Sequence, residues 1–345
     1  MSRRAVVLMN LGGPDSLDAV RPFLFNLFSD RAIIDLPAPF RQALAWLIAA
    51  RRAPTARQIY TRLGGASPLL ANTEAQARAL ELRLDEGERC YVAMRYWTPL
   101  TAAVVSEVAA WRPQEILCLP LYPQFSTTTT GSSIAVWCAE AARQGLSCPM
   151  RAVHSYPKAP GFVAAIAELI GSVLVKLPST GVPPRLLLSA HGLPEKIVRA
   201  GDPYPEQVDA TARAVIGQLA RAGHGPVDWR VCYQSRIGPL AWIGPSIDEE
   251  VRRAGRERVP LVVAPISFVS EHSETLVELD HDYRNLAASC GVPGYHRIPT
   301  VGTHPAFIGA LAELVQRPEL SGPLSLERAR GRPADIAATS GEARA

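Results

Sequence analysis

The sequence contains few cysteines, and none of them stands close to another. The six thiols are spread along the chain at Cys90, Cys118, Cys138, Cys148, Cys232 and Cys290. This spacing lacks the C-x-x-C pair that structural zinc sites and dithiol redox sites use. Several of the thiols fall within apolar runs, where a free cysteine packs as a small hydrophobic side chain. We therefore expect reduced cysteines in the core of a cytoplasmic protein.

The sequence also lacks a strong excess of charge of either sign. Its 36 basic and 32 acidic residues leave a formal net charge of +4, and the basic residues are not gathered into runs. Nucleic-acid binding needs a concentrated basic surface, so we expect no DNA or RNA partner. Neither G-x-G-x-x-G nor G-x-x-x-x-G-K-[ST] occurs, which leaves nucleotide binding without specific support.

Long apolar runs are missing as well. No stretch approaches the roughly 18 apolar residues of a membrane span. Arg3 and Arg4 precede the apolar residues 5–9, but this run is short and leads directly into the turn residues Asn10–Pro14. The pattern favours a first β-strand over a signal peptide.

One segment, residues 36–53, gathers large apolar side chains and ends in basic residues. Two interpretations are open. The segment is either a helix of the core or an apolar lip that covers a site for a hydrophobic ligand or makes a peripheral contact with a membrane surface.

Short apolar runs rich in branched residues, each followed by a turn and a helical pattern, recur eight times. Such runs are typical of parallel strands that are covered on both faces. The predicted strands are Ala5–Leu11, Cys90–Tyr96, Ile116–Tyr122, Met150–His154, Arg185–Ala190, Trp229–Tyr233, Val259–Phe268 and Tyr295–Ile298. Amphipathic segments such as Phe162–Leu177 and Pro205–Ala220 lie between most of them. The pattern predicts an α/β protein with four parallel strands in each half.

This alternation predicts two similar, doubly wound (Rossmann-like) domains. We place the first over residues 1–157, joined by a C-terminal helix over 303–317, and the second over residues 158–302. Residues 326–345 contain almost no large apolar side chain, so their burial would not offset the loss of chain entropy, and we expect a disordered tail.

Ligands of open parallel sheets bind beyond the carboxyl ends of the strands, which directs attention to two places. His191 directly follows the strand Arg185–Ala190. After the strand Val259–Phe268 comes an acidic pattern, with carboxylates at Glu271, Glu274, Glu278 and Asp282. On a helix their spacing places all four within an arc of about 80°. The residues are either a turn histidine and a solvated helix face, or a nitrogen and oxygen pair that handles a divalent metal ion or protons.

Other strand ends are apolar or aromatic and are suited to enclosing a flat hydrophobic ring. Leu11, Arg95–Trp97, Tyr122, Trp242 and Phe268 belong to this group, although aromatic residues are more often part of a core. The hydroxyl-rich run Ser126–Ser133 offers donors for an anion, and a phosphate fits it as well as a propionate.

Eight motifs in order resemble the ferrochelatase family from near the start of the chain to about Val315. They are NLGGP (10–14), LGGASPL (63–69), MRYWTP (94–99), LYPQFSTTTTGSS (121–133), SAHGLP (189–194), GDPYP (201–205), QSRIGPLAWIGP (234–245) and SFVSEHSETLVELD (267–280). The resemblance implies insertion of Fe²⁺ into protoporphyrin IX, the terminal step of haem biosynthesis. It also implies a porphyrin cleft between the two domains.

The resemblance assigns roles to particular residues. It implies that His191 and Glu274 are the catalytic and metal-binding pair. A metal or proton path is implied at Glu271, His272, Glu278 and Asp282, and porphyrin-binding positions at Leu11, Arg95, Tyr96, Tyr122, Trp242 and Phe268. Two positions depart from the family pattern, because aspartate is commoner at 271 and the animal enzymes carry methionine at 11.

A third departure concerns cofactors. Animal ferrochelatases end in a cysteine-bearing extension that holds a [2Fe–2S] cluster, whereas this chain has no cysteine after Cys290. We therefore expect no cluster and no permanently bound cofactor, with Fe²⁺ acting only as substrate. The expected protein is a monomer in the cytoplasm, in contact with a membrane if residues 36–53 form the apolar lip.

The mechanism expected from the resemblance needs bases and distortion of the ring. Apolar walls would hold the porphyrin bent, His191 would accept a pyrrole proton, and Glu274 would handle iron or protons on the opposite face. Which residue meets iron first is left open. A chelatase for cobalt, nickel or coproporphyrin is the nearest alternative, and a non-catalytic haem- or anion-binding module is an alternative of another class.

Overall fold

The computed structural model describes residues 3–177, 182–236, 238 and 240–324. Two compact units are present. The first contains the chain up to Ser155 and the residues from Leu311 onward, and the second contains Tyr156–Ala310. The predicted tail over residues 326–345 lies outside the described residues.

The first unit alternates strands and helices. Its strands are β1 (Arg4–Asn10), β2 (Glu88–Met94), β3 (Glu115–Pro120), β4 (Met150–Ala152) and, near the described end of the chain, β9 (Gly322–Pro323). Its helices are α1 (Val20–Phe28), α2 (Ala38–Arg62), α3 (Leu69–Glu81), α4 (Thr101–Trp111) and α5 (Ser132–Arg143), with a π-helical turn over Thr127–Gly131 before α5.

The sheet of the first unit has the strand order β2-β1-β3-β4-β9. Its first four strands are parallel, which confirms the four strands predicted for this half. Residues 5–8 of β1 are fully buried, as expected for a strand that is covered on both faces. The fifth strand was not predicted. It pairs antiparallel with β4 over two residues, too short a run to give a strand pattern in the sequence.

Helix α2 contains most of residues 36–53 and combines features of both interpretations of that segment. Its small residues Ala45, Ala49 and Ala53 are buried, and Ala49 and Ala53 pack against α1, where their size allows a close approach of the two helices. Its large apolar residues face outward: Phe40, Trp46 and Leu47 are 69%, 58% and 57% exposed. Among the described residues, no helix is long and apolar enough to cross a membrane.

The second unit repeats the alternation. Its strands are β5 (Arg185–His191), β6 (Asp228–Gln234), β7 (Leu261–Pro265) and β8 (Tyr295–Arg297). Its helices are α6 (Pro160–Leu174), α7 (Glu195–Arg199), α8 (Tyr204–Arg221), α9 (Ile247–Glu257), a π-helical segment over Glu274–Asp282, α10 (Tyr283–Ser289) and α11 (Pro305–Gln316). The residues of α11 from Leu311 onward belong to the first unit, and a 3₁₀ turn over Pro318–Leu320 follows.

The second sheet is parallel throughout, with the order β6-β5-β7-β8, and confirms the predicted four strands. Strand β5 is central and is buried from Arg185 to Ala190, because helices pack on both faces of the sheet. On one face Leu187 and Val263 pack with Val251 of α9 and Leu279 of the π-helical segment. This packing fixes the π-helical segment against the sheet whose strands end at the candidate site.

Candidate active site

His191 is the last residue of β5 and lies at the carboxyl end of the second sheet. Its backbone N–H donates to Ser267 Oγ at 3.2 Å, and the next amide, of Gly192, donates to the Gln234 carbonyl at 2.8 Å. A Cβ atom on Gly192 would lie 2.9 Å from that carbonyl and 3.2 Å from the Trp242 ring. Only glycine fits this close approach, which turns the chain directly after His191.

His191 and Glu274 lie next to each other. The expectation that Glu274 acts on the face of the porphyrin opposite His191 is corrected, because the two side chains are too close for a ring to lie between them. Nε2 of His191 lies 3.5 Å from Oε2 of Glu274, and Nε2 of His272 lies 3.8 Å from the same oxygen. The Nδ1 atoms of both histidines lie against backbone carbonyls, of Gly192 at 2.6 Å and of Ser270 at 3.1 Å. Because a carbonyl only accepts, each Nδ1 carries the hydrogen and each Nε2 is left for Glu274 or a ligand.

The charge of Glu274 controls the protonation of His191. Burial alone would lower the pKa of His191, but the neighbouring carboxylate outweighs burial and raises the pKa from 6.5 to about 9. Burial opposes ionisation of Glu274, yet the two histidines lower its pKa well below the usual range. The site without ligands therefore holds an imidazolium and carboxylate pair at neutral pH.

Glu278 is held in place by the end of β6. Its carboxylate accepts hydrogen bonds from the Ser235 backbone N–H at 3.0 Å, from Ser235 Oγ at 2.5 Å and from Gln234 Nε2 at 3.0 Å. Gln234 also donates to the Glu274 carbonyl at 2.9 Å and is itself fixed by Ser189. Burial and the charge of Glu274 raise the pKa of Glu278 despite these donors.

The predicted acidic stripe is corrected in its geometry. The helix begins at Glu274 and is π-helical, so Glu271 precedes it and does not share its face. The Glu271 carboxylate accepts from Arg297 at 2.5 Å, and Asp282 is exposed at the far end of the segment. An α-helical spacing rule could not foresee this, because a π-helix forms i→i+5 hydrogen bonds and rotates its residues differently.

Two of the predicted porphyrin-binding residues lie beside the pair. The Phe268 ring centroid is 4.6 Å from that of His272 and 6.4 Å from that of His191. Trp242 lies against Gly192 and forms a β-bridge with Pro194. Both side chains are partly exposed and give the site an apolar boundary.

In the first unit, Arg95 and Tyr96 follow β2 and converge on Asp30. The carboxylate of Asp30 accepts from the Arg95 guanidinium at 2.8 Å, from the Tyr96 hydroxyl at 2.7 Å and from the Ser132 hydroxyl. Tyr96 is only 1% exposed, so its ring is part of the core and is not available as the expected contact surface. Burial, and then the charge of Asp30, raise the pKa of Tyr96 well above its usual value.

The other two predicted residues of this unit are partly buried. Leu11 packs on the cluster of α1 and α2 that includes Phe23 and Tyr60, directly beyond the end of β1. Tyr122 follows β3, and burial raises the pKa of its hydroxyl. All four positions thus lie at carboxyl ends of strands in the first sheet.

Sequence reasoning missed Gln234, Ser235, Arg297 and Asp30. Gln234 ends β6 and Ser235 follows it, both within a quoted motif, so the strand-end rule could have identified them. Ser235 also adopts a φ of 61°, which aims its amide and hydroxyl at Glu278. Arg297 is the last residue of β8 and gave the same strand-end signal, although the predicted strand continued to Ile298. Asp30 does not end a strand and gave no such signal.

Within the part of the chain that the structure describes, no three histidine, cysteine or acidic side chains form a group that could hold a metal ion. His191 and Glu274 offer one nitrogen and one oxygen ligand. Such a pair is suited to the transient binding of a first-row divalent metal ion.

The chain matches known proteins over most of its length. The ferrochelatase family profile covers residues 3–319. A ferrochelatase of Phenylobacterium zucineum is 55% identical over 316 residues, which span 90% of this chain and 89% of that protein. A ferrochelatase of Wolbachia from Drosophila simulans is 49% identical over 317 residues, 90% of this chain and 98% of that protein.

Solved structures support the fold. SirB from Bacillus subtilis, determined with Fe³⁺, has a TM-score of 0.56 at 12% identity and covers 91% of this chain and 94% of its own. The sirohydrochlorin chelatase SirB in complex with cobalt has a TM-score of 0.53 over the same shares of the two chains. At this identity the likeness shows only a common α/β architecture, whereas the family profile and the relatives show that the chain belongs to the ferrochelatase family.

Proposed function

We propose that this chain inserts Fe²⁺ into protoporphyrin IX to form protohaem, the terminal step of haem biosynthesis. The observation that carries the proposal is the His191 and Glu274 pair, 3.5 Å apart at the carboxyl end of a parallel sheet. Membership of the ferrochelatase family supplies the reaction for which such a base and ligand pair is suited.

The reaction replaces two pyrrole N–H protons by Fe²⁺, so the site must accept two protons and strip water from the ion. Neutral His191 accepts a pyrrole proton at Nε2, the atom that Gly192 leaves unengaged. Glu274 stays ionised and attracts the cation. When Fe²⁺ binds near Glu274, its positive charge repels the positively charged imidazolium of His191. Binding of Fe²⁺ therefore favours loss of the His191 proton, which leaves the neutral base.

The neighbouring residues have supporting roles. Phe268 and Trp242 bound the pair with apolar surface on which a macrocycle can stack. Glu278, with its raised pKa, accepts a proton from the site more readily than an ordinary glutamate. In the first unit we assign porphyrin contacts to Leu11, Arg95 and Tyr122.

The decisive experiment is anaerobic incubation of the protein with Fe²⁺ and protoporphyrin IX, following the loss of free-base fluorescence. The His191→Ala and Glu274→Gln variants should each lower kcat by roughly a hundredfold or more, the usual contribution of a placed base or acid. Coproporphyrin, Co²⁺ and Ni²⁺ are assayed in parallel.

A second histidine and glutamate pair of the same unit provides the control. His304 Nε2 lies 3.3 Å from Glu168 Oε2, on α6, and His304→Ala should leave insertion unchanged. Faster turnover with coproporphyrin or another metal ion would show that this compound or ion is the preferred substrate. Tight porphyrin binding without metallation would show that the protein is a non-catalytic binding module.

We also propose that α2 rests on the surface of a membrane that contains anionic lipids. Phe40, Leu44 and Leu47 recur at helical spacing on the face opposite the buried alanines, and Arg51 continues that row. Residues 31–62 contain six arginines and one aspartate, and the Arg21 guanidinium stacks on exposed Trp46 at 5.1 Å. An apolar face with a basic surround matches the interface of an anionic bilayer.

Vesicle co-sedimentation tests this contact. The protein should bind vesicles with phosphatidylserine more tightly than vesicles of phosphatidylcholine alone, and less tightly at high salt. Phe40→Ser and Leu47→Ser should each weaken binding by about tenfold, the cost of losing one buried apolar side chain. Leu82→Ser, at another exposed leucine, is the control. Equal binding by all variants would contradict the proposal, and sedimentation of the free protein would test the expected monomer.

A further inference from the structure

We infer that Arg297 is a positioning residue that fixes the segment carrying His272 and Glu274 opposite His191. The inference rests on the proposed function for its catalytic consequence, but its structural basis is independent of the reaction. Arg297 is the last residue of β8, and its side chain is 9% exposed.

The Arg297 guanidinium forms hydrogen bonds with one residue before Glu274 and with one residue after it. Arg297 Nη1 donates to Glu271 Oε1 at 2.5 Å, three residues before Glu274. Its Nε donates to Asp280 Oδ1 at 3.1 Å, and Nη2 donates to the other oxygen of Asp280, inside the π-helical segment. The catalytic carboxylate therefore lies between two residues that are tied to the same side chain.

The two flanking carboxylates depend on this cation. Glu271 Oε1 also accepts from the Thr300 backbone N–H at 2.9 Å, which joins the segment to the chain beyond β8. Removing the guanidinium would leave two carboxylates that are 23% and 26% exposed without their principal partner, a costly arrangement that the segment can relieve by moving outward. A lysine can form one of these contacts but lacks the planar fork that reaches both.

The opposite side of the segment is held separately. Glu278 is bound by Ser235 and Gln234 at the end of β6, whereas Arg297 acts from the end of β8. The 3.5 Å separation of His191 and Glu274 thus depends on anchors at two other strands of one sheet. Loss of the β8 anchor should shift Glu274 relative to His191 while leaving the apolar surface of Phe268 and Trp242 in place.

This assignment gives Glu271 a different role from the metal or proton path that the family resemblance implies. Its carboxylate is engaged by Arg297 and by the Thr300 amide. Glu271 then serves as the anchor point that Arg297 holds. Glu271→Gln should accordingly reduce kcat and leave the KM for Fe²⁺ unchanged, whereas a residue on the iron path would raise that KM.

The test compares Arg297→Met and Arg297→Lys with the unaltered protein. Arg297→Met should lower kcat by about ten- to a hundredfold, as expected for a misplaced catalytic group, with little change in the KM for protoporphyrin. Arg297→Lys should recover part of kcat. Without substrates, hydrogen exchange of the backbone amides over residues 272–282 should become faster in Arg297→Met.

Arg185 offers a matched control. It begins β5 at the opposite end of the same sheet, has a side chain that is 7% exposed, and pairs with Asp228 at 2.6 Å and Glu257 at 2.7 Å. Arg185→Met should lower Tm by a similar amount without changing the kcat of the folded protein or exchange over 272–282.

The outcomes separate the inference from the proposed function. Unchanged kcat and unchanged exchange in Arg297→Met would overturn the role of Arg297, as would equal effects in Arg185→Met. If Arg297→Met does not fold, Arg297→Lys and Glu271→Gln decide by the same readouts. Should the unaltered protein insert no Fe²⁺ while the exchange still responds to Arg297, the proposed function fails and the anchor stands.

Discussion

At the scale of single residues, a short backbone contact selects which nitrogen of His191 does chemistry. Gly192 can supply its carbonyl to Nδ1 only because it has no Cβ to collide with Gln234. Nε2 is then the atom that meets Glu274. Gly192 therefore determines which nitrogen of His191 faces Glu274.

The raised pKa of His191 predicts a specific pH dependence. The neutral form is the base, so kcat/KM should rise with pH up to the pKa of about 9. In Glu274→Gln the largest contribution that raises this pKa is absent while burial still lowers it, so the rise should shift to lower pH. Measurement of kcat/KM from about pH 6 to pH 10 checks both profiles.

A pH profile that is flat through 9 in the unaltered protein would contradict His191 as the base.

The raised pKa of His191 also affects the stability of the fold. The pair stabilises the fold fully below the unfolded pKa of 6.5, and this contribution is lost as the pH rises through about 9.

The strand-end rule singled out His191 and the acidic run that contains Glu274, but it left their roles open, and the family resemblance supplied the pair. The strand-end rule indicates where the partners of Glu271 and Glu278 could lie, but the pairing itself was not predictable, because it depends on which strands become neighbours. Arg297 comes 26 residues after Glu271, and Ser235 comes 43 residues before Glu278. No local periodicity connects residues at such separations.

At the scale of helices and strands, the strands were the easiest elements to predict. Branched residues in runs such as Arg185–Ala190 are buried on both faces, and this environment leaves a continuous apolar pattern. The π-helical segment was not predicted, because its buried positions Val277 and Leu279 are two residues apart, a spacing that does not mark one face of an α-helix.

Two helical glycines give opposite predictions. A Cβ on Gly255 of α9 would lie 2.3 Å from the Cys290 carbonyl, so Gly255→Ala should lower the free energy of unfolding by about 1–3 kcal/mol. A Cβ on Gly217 of α8 meets only the tip of Arg221 at 3.6 Å, so Gly217→Ala should raise it by up to ~1 kcal/mol.

Urea denaturation of the two alanine variants measures both effects. Equal increases in both variants would show that helix propensity outweighs the close contact of α9 with Cys290. Because both substitutions add one methyl group to a helix, the difference between them isolates the close contact.

At the scale of the whole molecule, each unit has its own apolar core. Three of the six cysteines are buried in these cores, whereas Cys90, Cys148 and Cys290 are only partly buried. Cys118 and Cys138 pack with Trp137 in the first unit, and Cys232 packs with Val251 in the second. Burial raises the pKa of all three thiols, that of Cys138 to about 11. Thiolates that could ligate a cluster are therefore disfavoured at these positions.

We predict that the purified protein shows no [2Fe–2S] absorption and that dialysis against a strong chelator leaves Tm unchanged to within about 1 °C. A resident metal centre would stabilise the folded state by its binding free energy, and its removal would lower Tm. Visible absorption, metal analysis and calorimetry before and after dialysis check this. A chelator-sensitive Tm would point to a bound metal.

The pairing of β9 with β4 has a consequence for shortened forms of the chain. Strand β4 spans three residues and ends the parallel part of the first sheet, and Gly322–Pro323 occupies its outer side. Arg151 secures this end through Ser321, and the Leu324 amide donates to the Met150 carbonyl at 2.8 Å.

A chain that stops before Ser321 would expose a bare sheet rim, which strands of other molecules can join. Such a truncated protein should self-associate more as its concentration rises, and light scattering after gel filtration would reveal this. In the longer chain, β9 covers the edge of β4 and so prevents this edge from pairing with other molecules.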